Sequence, residues 1–321
     1  MANAWRRNQP AKALTGKNLL LFISTSVLFL LFIYLSIQTP KHPNLLEKNV
    51  DRRPIPIKPF DCHTAPQAYP VIGNTVEGLK FPFIYSLPDF GNLPDKPHKN
   101  IARFLKGKPF RRPDISATIQ DLLEKMRLEK RGGTVVDVGA NVGMASLAAA
   151  VMGFKVVAFE PVFDNLQRMC DGIYFNRVGN LVRVYEAVAS DHSGNITFHK
   201  LVGRLDNSAV SAAGAKMAFK SNEEVEVEVR SVLLDDVIGD SEAVAVVKID
   251  VQGWEHHVLR GARRLLSREE GEAPYLIYEE DERLLRASNS SADEIREFLN
   301  GLGYSHCIQH GTDAHCTKNM H

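Results

Sequence analysis

The chain has 321 residues, 44% of them hydrophobic and 24% charged, with 39 Lys and Arg against 38 Asp and Glu. That length holds one large domain plus an appendage, and the balanced charge excludes a global field of the kind that draws in nucleic acid or an acidic polymer. Cys62, Cys170, Cys307 and Cys316 show neither C-x-x-C spacing nor a metal-ligand cluster, so no metal is expected.

The first 18 residues carry Arg6, Arg7, Lys12 and Lys17 without an acid, and are read as a cytoplasmic tail. Leu19 to Ile37 is uncharged and would span roughly 28 Å as a helix, enough to cross a bilayer core. The exit, Gln38-Thr-Pro-Lys41, lacks a small-residue cleavage site, so the segment reads as a retained single-pass anchor. With the basic tail outside the lumen, the rest of the chain falls in the secretory pathway as a type II, Golgi-like enzyme. The alternative is a mitochondrial address, which the acid-free basic start also permits.

Residues 38–112 are expected to form a stem and pre-domain segment, rich in Pro and charge at first and then carrying aromatic patches such as Phe81-Pro-Phe-Ile-Tyr85. The catalytic domain is expected over 113–321. Asp114 caps a helix with Ile115, Ile119, Leu122, Leu123 and Met126 on one stripe, ended by Gly132-Gly133. Thr134–Val138, Lys155–Phe159 and Leu181–Tyr185 read as strands separated by helices over Val142–Met152 and Val162–Asn176. Such alternation predicts an α/β, Rossmann-like fold with a mostly parallel sheet and helices on both faces. Half-exposed strands at Asn195–His199 and Val225–Arg230 flank a flexible stretch, Asn207–Gly214. An apolar strand, Ala243–Ile249, then restores the pattern, followed by a helix with Val258, Leu259, Ala262, Leu265 and Leu266 on one face. Tyr275–Tyr278 is a fifth strand, and a helix through Ile295, Phe298, Leu299 and Leu302 leads to a last strand pair. Cys307 and Cys316 flank a turn at Gln309–Asp313, placed to pair in a lumen or to stay as thiols elsewhere. The sequons Asn195-Ile-Thr197 and Asn289-Ser-Ser291 are acceptors only in a lumen.

The first strand ends in Asp137-Val-Gly139-Ala-Asn141-Val-Gly143 and opens into a helix, a turn in which glycine lets a ligand approach backbone. The second strand ends at Glu160, positioned to accept hydrogen bonds from both ribose hydroxyls of an adenosyl group. Asn141 stands where a dinucleotide fingerprint wants its middle glycine, which argues against a pyrophosphate and against an NAD-type oxidoreductase. Asp137 beside the loop suits a cationic ligand, as S-adenosyl-L-methionine is. A glycine turn in a domain that binds nothing is the bland reading of the same residues.

Val135–Gly143, Ala158-Phe-Glu-Pro161, Ala187–Asp191 and Val247–Glu255 with Val258–Gly261 resemble the FkbM-type S-adenosylmethionine-dependent methyltransferases, over roughly Thr134–Glu279. The resemblance implies a class I methyltransferase fold, S-adenosyl-L-methionine as methyl donor and O-methylation of a hydroxyl on a glycan or small metabolite. It implies cofactor contacts at Asp137, Gly139, Asn141, Gly143 and Glu160, and catalytic acids at Asp250 and Glu279 on the acceptor side. The family commonly has an acid where this chain has Gln252, so a catalytically inactive anchored scaffold is the rival reading. Asp250 is the expected proton acceptor. His256 and His257 read as a solvated helix face, Trp254 as core packing or a sugar platform, and the run Glu279–Glu282 as a solvated loop apart from its first residue.

Overall fold

The computed structural model describes residues 56–69, 71–87, 114–201, 208–218 and 224–318, with short pieces at 91–92, 96–97, 102 and 105–108. The expected tail, the expected membrane span at 19–37 and the start of the expected stem lie outside the described residues. Among the described residues no helix is long and apolar enough to cross a membrane.

Chain order runs β1 (Gly73–Val76), β2 (Phe83–Ser86), α1 (Asp114–Leu128), β3 (Thr134–Val138), α2 (Met144–Ala150), β4 (Val156–Phe159), α3 (Phe163–Phe175), β5 (Val182–Tyr185), β6 (Val188–Ala189), β7 (Gly194–Leu201) and α4 (Ala212–Ala218). It continues with β8 (Glu224–Val232), α5 (Leu234–Val237), β9 (Val244–Ile249), α6 (Glu255–Gly261), α7 (Arg263–Leu266), β10 (Tyr275–Glu279), α8 (Glu282–Ala287), α9 (Ala292–Gly301), β11 (His306–His310) and β12 (Asp313–Thr317).

A seven-stranded sheet has the order β11-β12-β10-β9-β3-β4-β5. Its β10-β9-β3-β4-β5 part is parallel, and β12 pairs antiparallel with both β10 and β11. Side-chain alternation decides which strand residue meets which helix layer. Val135, Val156 and Ala158 face a core shared with Ile119, Leu123 and Leu147. Val136, Val138, Val157 and Val247 face the opposite core, with Val258, Leu259, Ile295 and Leu299. Both faces are covered, which is why these strands read as continuous apolar runs. The half-exposed strands form a separate sheet, β6-β8-β7. There β8 runs antiparallel to β7 and parallel to β6.

Pro54–His321 is one compact unit, which includes residues ahead of the boundary expected at 113. The Phe60 amide donates to the Val184 carbonyl at 2.7 Å, extending the hydrogen bonding of edge strand β5. The β1–β2 hairpin buries Val76, Phe83, Tyr85 and Leu87 in the same core as Leu147 and Leu166. Cys62 is disulfide-bonded to Cys170 of α3. Neither that hairpin nor that disulfide is predicted by the sequence pattern. Cys307 and Cys316 are also joined, as directly opposed residues of β11 and β12.

Candidate active site

A cleft with a cavity volume of about 70 Å³ opens where the parallel strands end, lined by Gly139, Asn141, Phe159, Glu160, Val162, Asn165, Val188, Phe198, Ser208, Asp250 and Gln252 among others. Its position follows from topology: β9 and β4 lie on either side of β3, so the loops after all three converge there. Gly139 has φ +71°, and a Cβ there would come within 1.9 Å of the Asp250 carbonyl. Only glycine lets the loops after β3 and β9 touch in this way.

Glu160 is buried and accepts three hydrogen bonds: from the Asn141 amide at 2.8 Å, the Val162 amide at 3.0 Å and Asn165 Nδ2 at 3.1 Å. Burial raises its carboxyl above the ordinary value, opposed by those donors. A carboxylate offers about four lone-pair sites, so three protein donors leave room for about one more. Two ribose hydroxyls would call for one acceptor site more than that. The shortfall is met next to it, since Asn165 Oδ1 and Asn141 Oδ1 are buried acceptors without a hydrogen-bond partner and both residues line the cleft. Asn141 holds a left-handed φ of 52°, which Asn tolerates better than most residues.

Asp137 stands on β3 opposite Lys248 of β9. Its side chain is fully buried and does not line the cleft. One oxygen accepts from the Ser146 hydroxyl at 2.6 Å and the Ser146 amide at 3.1 Å, and the other faces Lys248 Nζ at 3.1 Å. Lys248 also donates to the Gly139 carbonyl at 2.8 Å. Burial alone would lower the Lys248 ammonium, but Asp137, Asp250 and Glu160 together hold it above its ordinary value. Asp137 thus spends its charge on an internal partner and braces the loop instead of attracting a cation. Gly143 likewise lies outside the lining, with φ 90°, capping α2.

Of the two acids expected to be catalytic, Asp250 is exposed and lines the cleft, whereas Glu279 is partly buried and lies outside the lining. Gln252 bridges them: its amide nitrogen donates to Asp250 Oδ1 at 2.9 Å and to Glu279 Oε2 at 3.1 Å. Burial first, then the charges of Asp250, Glu255, Asp313 and Asp281, push the Glu279 carboxyl up to about 9. The rest of its acidic run is matched with cations: Glu280 with Arg296, Asp281 with Arg283 and Glu282 with Arg286, each at 2.6 Å. Among the described residues Glu279 alone in that run has no arginine.

Glu255 and Lys248 are the residues that sequence reasoning missed. Glu255 Oε1 accepts from the amides of Val251 at 2.9 Å and Gly253 at 3.2 Å, shaping the loop that carries Gln252. Burial raises its carboxyl to about 7. Its signal was a carboxylate at the first position of a helix. That of Lys248 was a lone charge inside an apolar strand.

The neighbouring histidines and Trp254 do structural work. His257 stacks on Trp254 with ring centres 3.7 Å apart and meets Asp191 Oδ2 at 3.2 Å. Trp254 Nε1 donates to Ser190 Oγ at 3.1 Å, and its ring packs with Val162, Val188 and Phe198. Burial would raise the Asp191 carboxyl, yet hydrogen bonds from His192 and His257 and the charge of Arg260 hold it at about 2.

The family model for the methyltransferase FkbM domain matches residues 137–305, and the chain belongs to that family. No curated protein matches it in sequence. Among solved structures it is similar to the ribosomal protein L11 methylase from Lactobacillus delbrueckii subsp. bulgaricus, at 13% identity over 63% of this chain and 74% of that one, with a TM-score of 0.33. A T. thermophilus 16S rRNA N2 G1207 methyltransferase in complex with AdoMet and guanosine is 12% identical over 78% of this chain and 50% of its own, with a TM-score of 0.38. An O-methyltransferase family protein from Burkholderia thailandensis is 13% identical over 63% and 56%, with a TM-score of 0.34.

Proposed function

We propose that this member of the FkbM methyltransferase family uses S-adenosyl-L-methionine to methylate a hydroxyl of a glycan or small metabolite. The observation that carries the cofactor is the set of acceptors around Glu160. Asn141 Oδ1 and Asn165 Oδ1 are buried without donors, and Glu160 keeps spare acceptor capacity between them. A ligand rich in hydroxyl and ammonium donors satisfies all three. Phe159, Val162, Val188 and Phe198 give the same cleft apolar walls for a purine. When bound, the cofactor supplies an electrophilic methyl group on a sulfonium.

The chain's own part is alignment and proton management. Asp250, exposed at the cleft edge, accepts the hydroxyl proton of the acceptor. Glu279 keeps its own proton through neutral pH, so it serves as a hydrogen-bond donor and not as the base. Gln252 fixes the spacing of the two and adds no charge. The scaffold reading rests on Gln252 standing where family members commonly have an acid; the amide bridge gives that residue a positioning role consistent with activity.

We also read the chain as a type II membrane protein anchored by residues 19–37, with the domain in an oxidising lumen. All described cysteines are paired, a state that the cytosol does not maintain.

The test is calorimetric titration of S-adenosyl-L-methionine into the detergent-solubilised full chain. Glu160→Gln should weaken binding about 10- to 100-fold, the worth of a charged hydrogen bond. Unchanged affinity overturns the site. Labelled methyl transfer into glycan or metabolite fractions tests the reaction; tight binding with no transfer favours the scaffold.

A further inference from the structure

Asparagine side chains in this fold differ in how far the fold engages them. The carboxamides of Asn165 and Asn176 are tied into the structure: Asn165 donates to Glu160 at 3.1 Å, and Asn176 bridges the Ile84 amide at 2.9 Å and the Gly172 carbonyl at 2.7 Å. Asn141 is partly buried in the cleft wall, with its Oδ1 buried and unpaired. Asn195 and Asn289 are different. Both are exposed, and neither carboxamide is engaged by the fold. They are also the two asparagines followed at the second position by a hydroxyl residue, Thr197 and Ser291.

Their backbone settings are those of a modification acceptor. Asn195 follows Gly194 at the start of β7, on the outer strand of the three-stranded sheet. Asn289 lies exposed between α8 and α9 in a left-handed turn conformation, with φ 57°. Next to it Ser290 is buried and donates to the Leu285 carbonyl at 3.2 Å, while Ser291 caps α9 by accepting from the Glu294 amide at 3.2 Å. The turn is thus fixed by its serines and not by the asparagine.

The compartment is argued independently by covalent structure. Cys62 and Cys170 are 108 residues apart in sequence, and Cys307 and Cys316 are 9 apart. Two disulfides that join such different separations, with no thiol left over, are what an oxidising lumen produces. That lumen is where sequons are modified.

We infer that Asn195 and Asn289 are N-glycosylation sites, a reading that rests on the luminal placement proposed above. In each, the carboxamide nitrogen forms a C–N bond to the anomeric carbon of a lipid-diphosphate-linked oligosaccharide. The anomeric C–O bond breaks, the lipid diphosphate leaves with its electron pair, and the nitrogen gives up one proton. The glycan occupies surface that the fold leaves uncommitted, so neither site is needed for packing.

The experiment uses the full chain expressed in secretory-competent eukaryotic cells. Its gel mobility is compared with and without peptide N-glycosidase, for the wild type and for Asn195→Gln, Asn289→Gln and the double variant. Two discrete downward shifts are expected in the wild type, one in each single variant and none in the double. A maleimide label applied without reductant reports the cysteines in the same samples. Blocked thiols with no glycosidase shift overturn the glycosylation sites and leave the luminal reading standing. Reactive thiols with no shift overturn both. A single shift removed by one variant overturns the other site. Because the wild-type digest is itself decisive, a variant that fails to fold changes nothing.

Discussion

The two sides of the cleft handle charge in opposite ways. On the cofactor side every acid is neutralised: Asp137 has Lys248 at 3.1 Å and Glu160 has three donors. On the acceptor side Asp250, Glu279, Glu255 and Asp313 act on one another as like charges, with one amide, that of Gln252, set between two of them. The first arrangement builds a rigid cradle. The second stores protons, because like charges at close range cannot all ionise together. β9 links the two: Lys248 lies within it, and Asp250, just past its end, keeps Oδ2 4.0 Å from the Lys248 Nζ.

Four changes would break or sharpen that contrast. Lys248→Met strips the buried Asp137 of its partner and should cost about 3–5 kcal/mol of stability, read by chemical denaturation. A loss below about 1 kcal/mol would mean that the pair braces nothing. Gly139→Ala acts where the two sides touch, since the added Cβ would meet the Asp250 carbonyl at 1.9 Å. Strain of about 3 kcal/mol should separate the loops and abolish cofactor binding in a titration. Retained affinity would show that the contact is not needed.

Glu279→Gln probes the proton store through pH. The folded carboxyl sits at about 9, above its ordinary 4.5. The stability it contributes is therefore full below about 4.5 and lost as pH rises through about 9. The variant should escape that loss and gain roughly 1–3 kcal/mol over wild type at pH 9 relative to pH 5. Parallel melting curves at both pH values would contradict the shifted carboxyl. Smallest is Gln252→Glu, which replaces the neutral bridge by a third charge and should destabilise by about 1 kcal/mol at pH 8, recovering at pH 5. No pH dependence would show that the acceptor side tolerates charge freely.

The contrast was only half visible in the sequence. Apolar runs flanked by glycine gave the parallel strands, and the spacing from Gly143 to Glu160 located the cleft, because both signals are local. What escaped was pairing across strands. Asp137 and Lys248 stand opposite each other in register, and that fact needs the knowledge that β3 and β9 are neighbours although about 110 residues separate them. Read locally, Asp137 is a carboxylate beside a ligand loop; the fold also gives it Lys248 at 3.1 Å. The β1–β2 hairpin escapes a reading of the pattern because its strands have 4 residues each, too short for a period to emerge. The Glu279–Glu282 run looked uniform, and only the folded positions of Arg283, Arg286 and Arg296 single out its first member.

The Cys307–Cys316 bond has a consequence at some distance from its sulfurs. β12 is paired with β10 so that Asp313 stands opposite Glu279, and Asp313 is one of the charges that keep Glu279 protonated. A strand that slips by one residue turns every side chain to the other face, which would carry Asp313 away from that neighbour. By stapling β11 to β12 at directly opposed positions, the disulfide works as a register pin for the sheet edge. It holds β11 and β12 together as one hairpin at the edge that carries Asp313.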